Sequence, residues 1–312
     1  MINQIYLQSS SYKLLDPDEI IDSADFKIVE SFLRTTKRAD IGWHYIVDLT
    51  WIYSVAKDWP RSYKIIDAGG GGGPAQFMLA ELGFQVTNID LILNVPNYSV
   101  ARRYGTAHTR LPSYKSSNYV QHLEDRVSMN SLNRNFRELI KSTKLWNKFS
   151  AYSYRSRNEA WRATQPPQPL GKIDWIQGNL CLMPEVENEL FDAVVSLSSL
   201  EHIPLNLLPN ALNEIGRVLK PKSCMAVTTS ATVNNKTWFH EPSQGNCFSS
   251  KDLSGLFNAK DQSELPAEVI MEKYEKSTYL HNNLPKFYYK SGNNGMPWGE
   301  WKPSYIPVGI WR

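Results

Sequence analysis

One stretch, residues 63–83, constrains the fold more than any other part of the sequence. It joins a short apolar run through Asp67 to five consecutive glycines and then to a helical pattern that begins at Pro74. Glycine has no Cβ, so its backbone can adopt positive φ and approach a ligand closely. Proline suits a first helical position, where its missing N–H costs nothing. A second apolar run ends at Asp90. This order of strand, glycine turn, helix and acid-terminated strand predicts a nucleotide-binding βαβ unit.

The composition is that of an ordinary globular protein, with 42% hydrophobic and 21% charged residues among 312. A formal net charge of +3 is too small to indicate a nucleic-acid partner. The three cysteines have no C-x-x-C spacing, so neither a zinc site nor a disulfide framework is indicated. The sequence has neither a secretory signal pattern nor an apolar run of roughly 18 residues. We therefore expect a cytoplasmic protein that does not enter the membrane.

The spacing of these patterns predicts a division of the chain. Residues 1–60 are expected to form an N-terminal helical segment, and residues 61–312 to form the main domain. About 80 residues, 92–171, separate the nucleotide unit from the next convincing strand, which is far longer than a usual crossover. We interpret 92–171 as a helical insertion that acts as a lid or substrate-recognition module. A structural or oligomerisation helix pair is the alternative. Residues 235–312 are expected to decorate the C-terminal end.

Regular alternation of strands and helices resumes after the insertion. Three further strands are predicted, over 173–179, 191–197 and 224–229, and an amphipathic helix lies between the last two. The continuous apolar run of 191–197 is typical of a parallel sheet that is covered on both faces. Two more segments, 268–274 and 305–311, are expected as late strands. The whole predicts a Rossmann-like, doubly wound α/β domain with helices on both faces of the sheet.

The glycine run alone does not decide which nucleotide is bound, because Gly70-x-Gly72-x-x-Ala75 also satisfies the dinucleotide fingerprint. Asp67, two residues before the glycines, suits a ligand that carries an ammonium or sulfonium charge better than a pyrophosphate. Gly178-Asn179 lies at the end of the strand predicted from residue 173, the third counted from the nucleotide unit. The fourth strand leads to Ser199-Leu-Glu-His-Ile203, and Ile215-Gly-Arg-Val-Leu-Lys-Pro-Lys222 follows. In this order, the motifs resemble those of class I S-adenosylmethionine-dependent methyltransferases, closest to the type 11 small-molecule branch.

The resemblance implies a mostly parallel, seven-stranded sheet with one antiparallel strand near its edge, for which 305–311 is the candidate. It also implies roles for individual residues in binding S-adenosyl-L-methionine. The glycines would line the methionine moiety with Asp67 near its ammonium, Asp90 would bind the ribose, and Leu91 would pack on the adenine. Asn179 stands where the family more often has aspartate. The full predicted cofactor set is Asp67, Gly69, Gly71, Gly73, Asp90, Leu91, Asn179, Leu180, Ser196 and Leu197.

Methyl transfer to oxygen usually requires removal of a proton, for which histidine has a suitable pKa. His202 and the adjacent Glu201, after the fourth strand, are the first catalytic candidates, with His202 as the base or a substrate ligand. His240 and Glu241 are the second candidates. A structural role at the helix start is the alternative for His202. No metal-ligand pattern accompanies the fourth strand, and the base-methylating motifs of nucleic-acid enzymes are absent. We therefore expect O-methylation of a small metabolite or sugar unit, with N- and C-methylation left open.

Two other classes of function remain as alternatives. A Rossmann oxidoreductase would bind NAD(P), but the only Tyr-x-x-x-Lys spacing, Tyr53 to Lys57, precedes the glycine turn. A catalytically inactive methyltransferase fold that serves as a partner subunit is the other. The intact glycine turn and Asp90 argue against it.

Overall fold

The structure is a computed structural model that describes residues 9–36, 42–92, 104, 107–115, 170–241, 243–288 and 303–312. The strands are β1 (Ser10–Leu14), β2 (Lys64–Ala68), β3 (Gln85–Asp90), β4 (Ala107–Arg110), β5 (Lys172–Gln177), β6 (Phe191–Ser196), β7 (Leu219–Ala231), β8 (Trp238–His240), β9 (Gly245–Phe248), β10 (Ala259–Asp261) and β11 (Ile306–Trp311). The helices are α1 (Pro17–Ile20), α2 (Ala24–Thr35), α3 (Tyr45–Ala56), α4 (Ala75–Glu81), α5 (Leu208–Val218), α6 (Ser250–Phe257), α7 (Ala267–Lys276) and α8 (Thr278–Tyr288). Short 3-10 helices span Pro112–Lys115 and Leu200–His202.

All of these strands belong to one sheet, in the order β10-β1-β11-β7-β6-β2-β3-β5-β4. Outside this order, β9 also pairs with β7, and β8 pairs with β9. The central strands from β7 to β4 pair in parallel. Chain order reverses between β2 and β6, because β3 lies on one side of β2 while β7 lies on the far side of β6. In an open α/β sheet, ligands bind beyond the carboxyl ends of the strands at such a reversal.

The same reversal distributes the helices. The crossover from β2 through α4 to β3 runs in the opposite direction from the crossover from β6 through α5 to β7. Since parallel crossovers are right-handed, these two helices lie on opposite faces of the sheet. The prediction of a doubly wound, mostly parallel α/β fold is confirmed. Its strand count is corrected, because the described residues form eleven strands where seven were expected.

The prediction for the C-terminal strand is also confirmed. β11 pairs antiparallel with β7 on one side and with β1 on the other. Strand β1 lies within residues 1–60, for which only helical pieces were expected. Its outer neighbour is β10, with which it pairs in parallel.

The rest of the described N-terminal segment is helical, and α3 packs against β11 and β7. Nearly the whole surface of α3 is buried, although its sequence predicted only one apolar face. Trp51 of this helix lies against the backbone of Gly309, where an added Cβ would come 2.3 Å from the indole Cε2 atom. Glycine therefore allows the indole to lie directly on the sheet.

The late segment 268–274, expected as a strand, is part of helix α7. Ile270 and Tyr274 are buried one helical turn apart, whereas the residues between them are not. The Tyr274 hydroxyl donates to the carbonyl oxygen of Leu15 at 2.7 Å. The consecutive valine, isoleucine and methionine of 269–271 favoured a strand locally, and these long-range contacts explain the helix instead.

Most of the predicted helical insertion lies outside the described residues. Within it, residues 107–110 form strand β4 at the edge of the sheet beside β5. The lid or recognition role stays a prediction. None of the helices that the structure describes has the length and apolarity of a membrane span.

Candidate functional site

Two cavities open at the carboxyl ends of the central strands. The larger has a volume of about 800 Å³ and lies beyond β3, β5 and β6. The smaller has a volume of about 240 Å³ and lies over the glycine turn after β2. Gly69, Ser199 and His202 line both cavities, so the two adjoin at the point where chain order reverses between β2 and β6.

The glycine turn holds its backbone in conformations that other residues rarely adopt. Gly69 and Gly71 have φ values of 74° and 48°. A Cβ on Gly69 would lie 1.9 Å from the Ser199 Oγ atom, and a Cβ on Gly70 would lie 2.0 Å from the Asp67 Oδ2 atom. A Cβ on Gly73 would meet the carbonyl oxygen of Gly70 at 2.8 Å. The turn is therefore packed as closely as glycine permits.

Asp67 lies directly beneath this turn and is completely buried. Neither of its carboxylate oxygens has a hydrogen-bond partner among the described residues. Burial, followed by the negative charge of Asp90, raises the pKa of Asp67 to about 7. A buried acid without donors is destabilised in its charged form, and a cationic ligand that donates hydrogen bonds would satisfy it. This arrangement fits the ammonium group of a methionine moiety.

Side chains from other elements fix the turn from behind. The fully buried Gln76 of α4 donates through Nε2 to the carbonyl oxygens of Gly71 and Gly73, at 2.9 and 3.2 Å. Its Oε1 atom accepts the indole N–H of Trp175 at 2.7 Å. Asn88 of β3 donates to the same Gly71 carbonyl at 3.3 Å. The turn is thus held by hydrogen bonds from α4 and β3, and β5 orients the α4 donor through Trp175.

Asp90 ends β3 at the wall of the larger cavity, followed by Leu91 and Ile92. The backbone N–H of Ile92 donates to Asp90 Oδ1 at 2.7 Å. Burial raises the pKa of Asp90, while backbone N–H groups of Ile92 and Gly71 act in the opposite direction. A carboxylate oriented by backbone donors at a cavity wall is suited to a pair of hydroxyl groups. Asp90 and Leu91 thus lie where ribose and adenine ligands are expected.

Asn179 and Leu180, which follow β5, line the same cavity and are both buried. The side-chain oxygen of Asn179 accepts the backbone N–H of Cys181 at 3.0 Å, as in an Asx turn. The structure thus gives Asn179 a turn-forming function in addition to its place at the cavity wall. Its predicted contact with an adenine amino group stays a prediction.

The remaining predicted cofactor residues, Ser196 and Leu197, lie at the end of β6 and at the start of the loop that follows it. Leu197 lines the smaller cavity. Ser196 is not among the described residues that line either cavity, since it is fully buried and its hydroxyl donates to the Ala68 carbonyl at 2.8 Å. It therefore joins β6 to β2 rather than facing a ligand. Gly71 likewise contributes through its backbone to Asp90 and is not in either lining set.

A buried hydrogen-bond network fixes this loop to the N-terminal helix α3. Ser198 has φ of 45°, and its hydroxyl donates to Asp48 Oδ2 at 2.8 Å. The same Oδ2 atom lies 2.7 Å from His44 Nδ1, and the Ser198 N–H donates to the Thr228 hydroxyl at 3.1 Å. Tyr45, next to His44, lines the smaller cavity. The N-terminal segment therefore helps to form the site.

The structure separates the two adjacent candidates for catalysis. His202 lines both cavities, and its Nδ1 atom lies 2.9 Å from the Gln244 carbonyl oxygen. A carbonyl oxygen only accepts, so Nδ1 carries the proton and Nε2 holds the lone pair of the neutral ring. Glu201 is buried away from the cavities, where it accepts from Thr229 and Ser230, and burial raises its pKa. Glu201 is thus placed to support the loop.

His240 of β8 is not among the described residues that line the two cavities. Its ring packs against Trp238 and Tyr305, and its Nδ1 atom accepts the Ser243 backbone N–H at 3.3 Å. Burial lowers the pKa of His240, with a further contribution from His44. The structure therefore does not bring His240 together with His202.

Several lining residues were not predicted from the sequence. Ser199 is part of the motif after β6, but a serine in such a loop gives no separate signal. Tyr45 comes from a helix that precedes the nucleotide unit, and Phe239 and Asn246 come from the β8–β9 hairpin. These long-range contributions depend on tertiary packing. The described residues contain no group of three or more side chains that could hold a metal ion.

Comparison with known proteins gives one family match. Residues 150–227 match a family model described as a methyltransferase domain. Among solved structures, the chain is similar to the 1,6-didemethyltoxoflavin-N1-methyltransferase of Burkholderia thailandensis, at 13% identity over 74% of each chain with a TM-score of 0.42. It is also similar to the [4+2]-cyclase SpnF, at 13% identity over 92% of each chain with a TM-score of 0.45. Likeness of this degree says nothing about the reaction or substrate. No curated protein matches the chain.

Proposed function

We propose that this chain is a class I S-adenosylmethionine-dependent methyltransferase that methylates a hydroxyl oxygen of a small metabolite or sugar unit. The match of residues 150–227 to a methyltransferase-domain model and the doubly wound sheet support this proposal. Its cofactor is S-adenosyl-L-methionine. The observation that carries the proposal is that two adjoining cavities share His202. The smaller cavity lies over the glycine turn, and Asp67 is buried beneath that turn, outside both cavity linings, with no partner for its two oxygens among the described residues. The larger cavity has Asp90 and Leu91 at its wall.

The residues fit the cofactor by charge and by shape. Asp67 supplies a buried anion for the ammonium group, and Gly70 places no side chain against it. Asp90 supplies a second anion for the ribose hydroxyls, while Leu180 offers the adenine a buried apolar surface and Asn179 a polar amide beside it. When bound, the cofactor supplies an electrophilic methyl group on a sulfonium, so positioning of donor and acceptor provides most of the rate.

His202 is the base in this proposal. Its Nδ1–H is held by the Gln244 carbonyl, which directs the ring and leaves the Nε2 lone pair as the proton acceptor. As the oxygen–methyl bond forms and the sulfur–methyl bond breaks, the acceptor's hydroxyl proton passes to His202 Nε2. The products are a methyl ether, S-adenosylhomocysteine and a protonated imidazole, which returns its proton to water. Glu201 supports this loop through Thr229 and Ser230 without touching the acceptor.

Calorimetry with S-adenosylhomocysteine and with NADH tests the cofactor assignment. We expect micromolar binding of S-adenosylhomocysteine only, and loss of that binding in Asp90→Ala, because the variant removes the ribose ligand. Asp174→Ala is the matched control, since Asp174 is an exposed aspartate on the neighbouring strand β5. Binding of NADH alone, or unchanged affinity in Asp90→Ala, would refute the cofactor site.

A second experiment tests oxygen methylation and the base. Transfer of a labelled methyl group into a library of alcohols and phenols should detect an acceptor. We expect His202→Ala to reduce turnover about 100- to 10,000-fold while S-adenosylhomocysteine still binds. His281→Ala, on the exposed face of α8, should retain full turnover. Full turnover in His202→Ala would exclude this base, and label found only on nitrogen or carbon would exclude O-methylation.

A further inference from the structure

The wall of the larger cavity that faces away from the predicted cofactor residues is apolar. It is formed by 203–206 of the loop after β6 and by Phe239 of β8. Leu205 and Phe239 are 44% and 45% exposed, and Ile92 at the cavity wall is 39% exposed. These are three of the five exposed large hydrophobic side chains in the described part of the chain. Apolar side chains gathered at one concave surface indicate a binding site, whereas scattered ones do not.

Two polar side chains that line the larger cavity, Asn246 and Gln244, are engaged with the protein itself. Asn246 donates through Nδ2 to the carbonyl oxygens of Glu201 and Ile203, at 2.8 and 3.1 Å. Gln244 donates through Nε2 to the carbonyl oxygen and the carboxylate of Glu241, at 2.7 and 2.9 Å. These amide donors hold the β8–β9 hairpin against the loop after β6. They are therefore not directed at a polyhydroxylated ligand.

The charge of the cavity points the same way. Among its described lining residues, Asp90 and His202 are the acid and the base, and neither lysine nor arginine is present. Burial raises the pKa of the Cys181 thiol to about 11, so this thiol is neutral. A carboxylate or phosphate group on the acceptor would meet the charge of Asp90 and no lysine or arginine among these described lining residues. Desolvating an unpaired charge is costly, and this cost selects against anionic acceptors.

We propose that the acceptor is an uncharged small molecule with a flat apolar body, held between Phe239 and Leu205. Its single hydroxyl group faces His202. This inference rests on the proposed methyl transfer and chooses between its two acceptor classes, a neutral metabolite and a sugar unit. An aromatic ring on Phe239 gains apolar burial and ring stacking together. A sugar would require several hydrogen-bond donors, and the amide donors of Gln244 and Asn246 are already committed to the protein.

Binding to the protein saturated with S-adenosylhomocysteine tests the inference without any turnover. The probes are naphthol, its anionic analogue hydroxynaphthoate, and methyl glucoside, each titrated by calorimetry. We expect naphthol to bind at least about 10-fold more tightly than hydroxynaphthoate and methyl glucoside not to bind. Tighter binding of either other probe, or no binding of naphthol at millimolar concentration, would overturn the inference. Failure of S-adenosylhomocysteine itself to bind refutes the proposed function instead, so the two failures are distinct.

Variants locate the acceptor. Phe239→Ala should weaken naphthol about 10-fold or more, because it removes the apolar surface on which the ring packs. Val269→Ala is the matched control, since Val269 is similarly exposed on α7 and lines no part of this cavity. Leu205→Lys should shift preference toward hydroxynaphthoate by supplying the absent cation. Unchanged naphthol affinity in Phe239→Ala, or an equal loss in Val269→Ala, would place the ring elsewhere and overturn the assignment.

Discussion

The buried carboxyl group of Asp67 predicts an unusual dependence of stability on pH. Its pKa is raised from 3.8 to about 7 in the folded protein, first by burial and then by the charge of Asp90. Between these two values the folded state holds a proton that the unfolded state has released. The stability contribution is therefore fully present below the unfolded pKa and is lost as pH rises through the folded pKa. For a shift from 3.8 to about 7, the total loss is about 4 kcal/mol.

The substitution Asp67→Asn isolates this contribution, because asparagine resembles the protonated acid in shape and cannot ionise. In the absence of ligand we expect the free energy of unfolding of the variant to exceed that of the native chain by about 4 kcal/mol at about pH 8. At about pH 5.5 the difference should be about 2 kcal/mol. Equilibrium unfolding in urea across this pH range, compared between the two proteins, measures the difference. Asp174→Asn, at an exposed strand position, should show no such trend.

The same variant should bind S-adenosylhomocysteine about 10- to 100-fold more weakly, because it loses a charge-assisted contact to the ammonium group. Greater stability would thus accompany weaker binding, as expected where a functional group is held at a cost to the fold. A stability difference that does not change with pH, or a variant less stable than the native chain near about pH 8, would refute the reasoning about Asp67.

Two further variants test how the site is packed. Gly70→Ala should weaken the binding of S-adenosylhomocysteine more than about 10-fold, because the new Cβ would lie 2.0 Å from Asp67 Oδ2. Gly255→Ala has open space within helix α6, so this variant should be neutral or more stable by up to about 1 kcal/mol. Equal effects of the two substitutions in calorimetry and in urea unfolding would contradict this reasoning. Ser198→Ala should be less stable in urea than Ser198→Gly by about 1 kcal/mol, since both lose the hydrogen bond to Asp48 and only glycine relieves the φ of 45°. Equal stability of the two Ser198 variants would show that the loop stores no such strain.

The sequence predicted the central part of the fold because its signals there are local. A strand, glycines without side chains and a following helix constrain one another within 63–83, and β2, β3 and α4 form there. Residues that end parallel strands meet at one edge of the sheet, so Asp90, Asn179 and His202 could be assigned to a common site from their positions after strands. All three line the larger cavity.

The failures have a common physical cause, which is long-range packing. Residues 10–14 became a strand because β11 and β10 lie on either side of them. Residues 268–274 became helical because Ile270 and Tyr274 bury one face of α7. Ser196 appeared to be a ligand residue by its position in a motif, yet its hydroxyl is directed to the Ala68 carbonyl within the sheet. No local pattern distinguishes these outcomes.

The pairing of β1 with β11 has a consequence for the order in which the protein assembles. Ser11 is paired with Trp311, so this edge of the sheet joins segments about as far apart as the chain allows. Loop closure over such a separation is slow, and β11 is synthesised long after α3. Helix α3 packs on β11 and carries Tyr45 and Asp48. The glycine turn can therefore form early during synthesis, but the cofactor pocket is completed only when the last strand has entered the sheet.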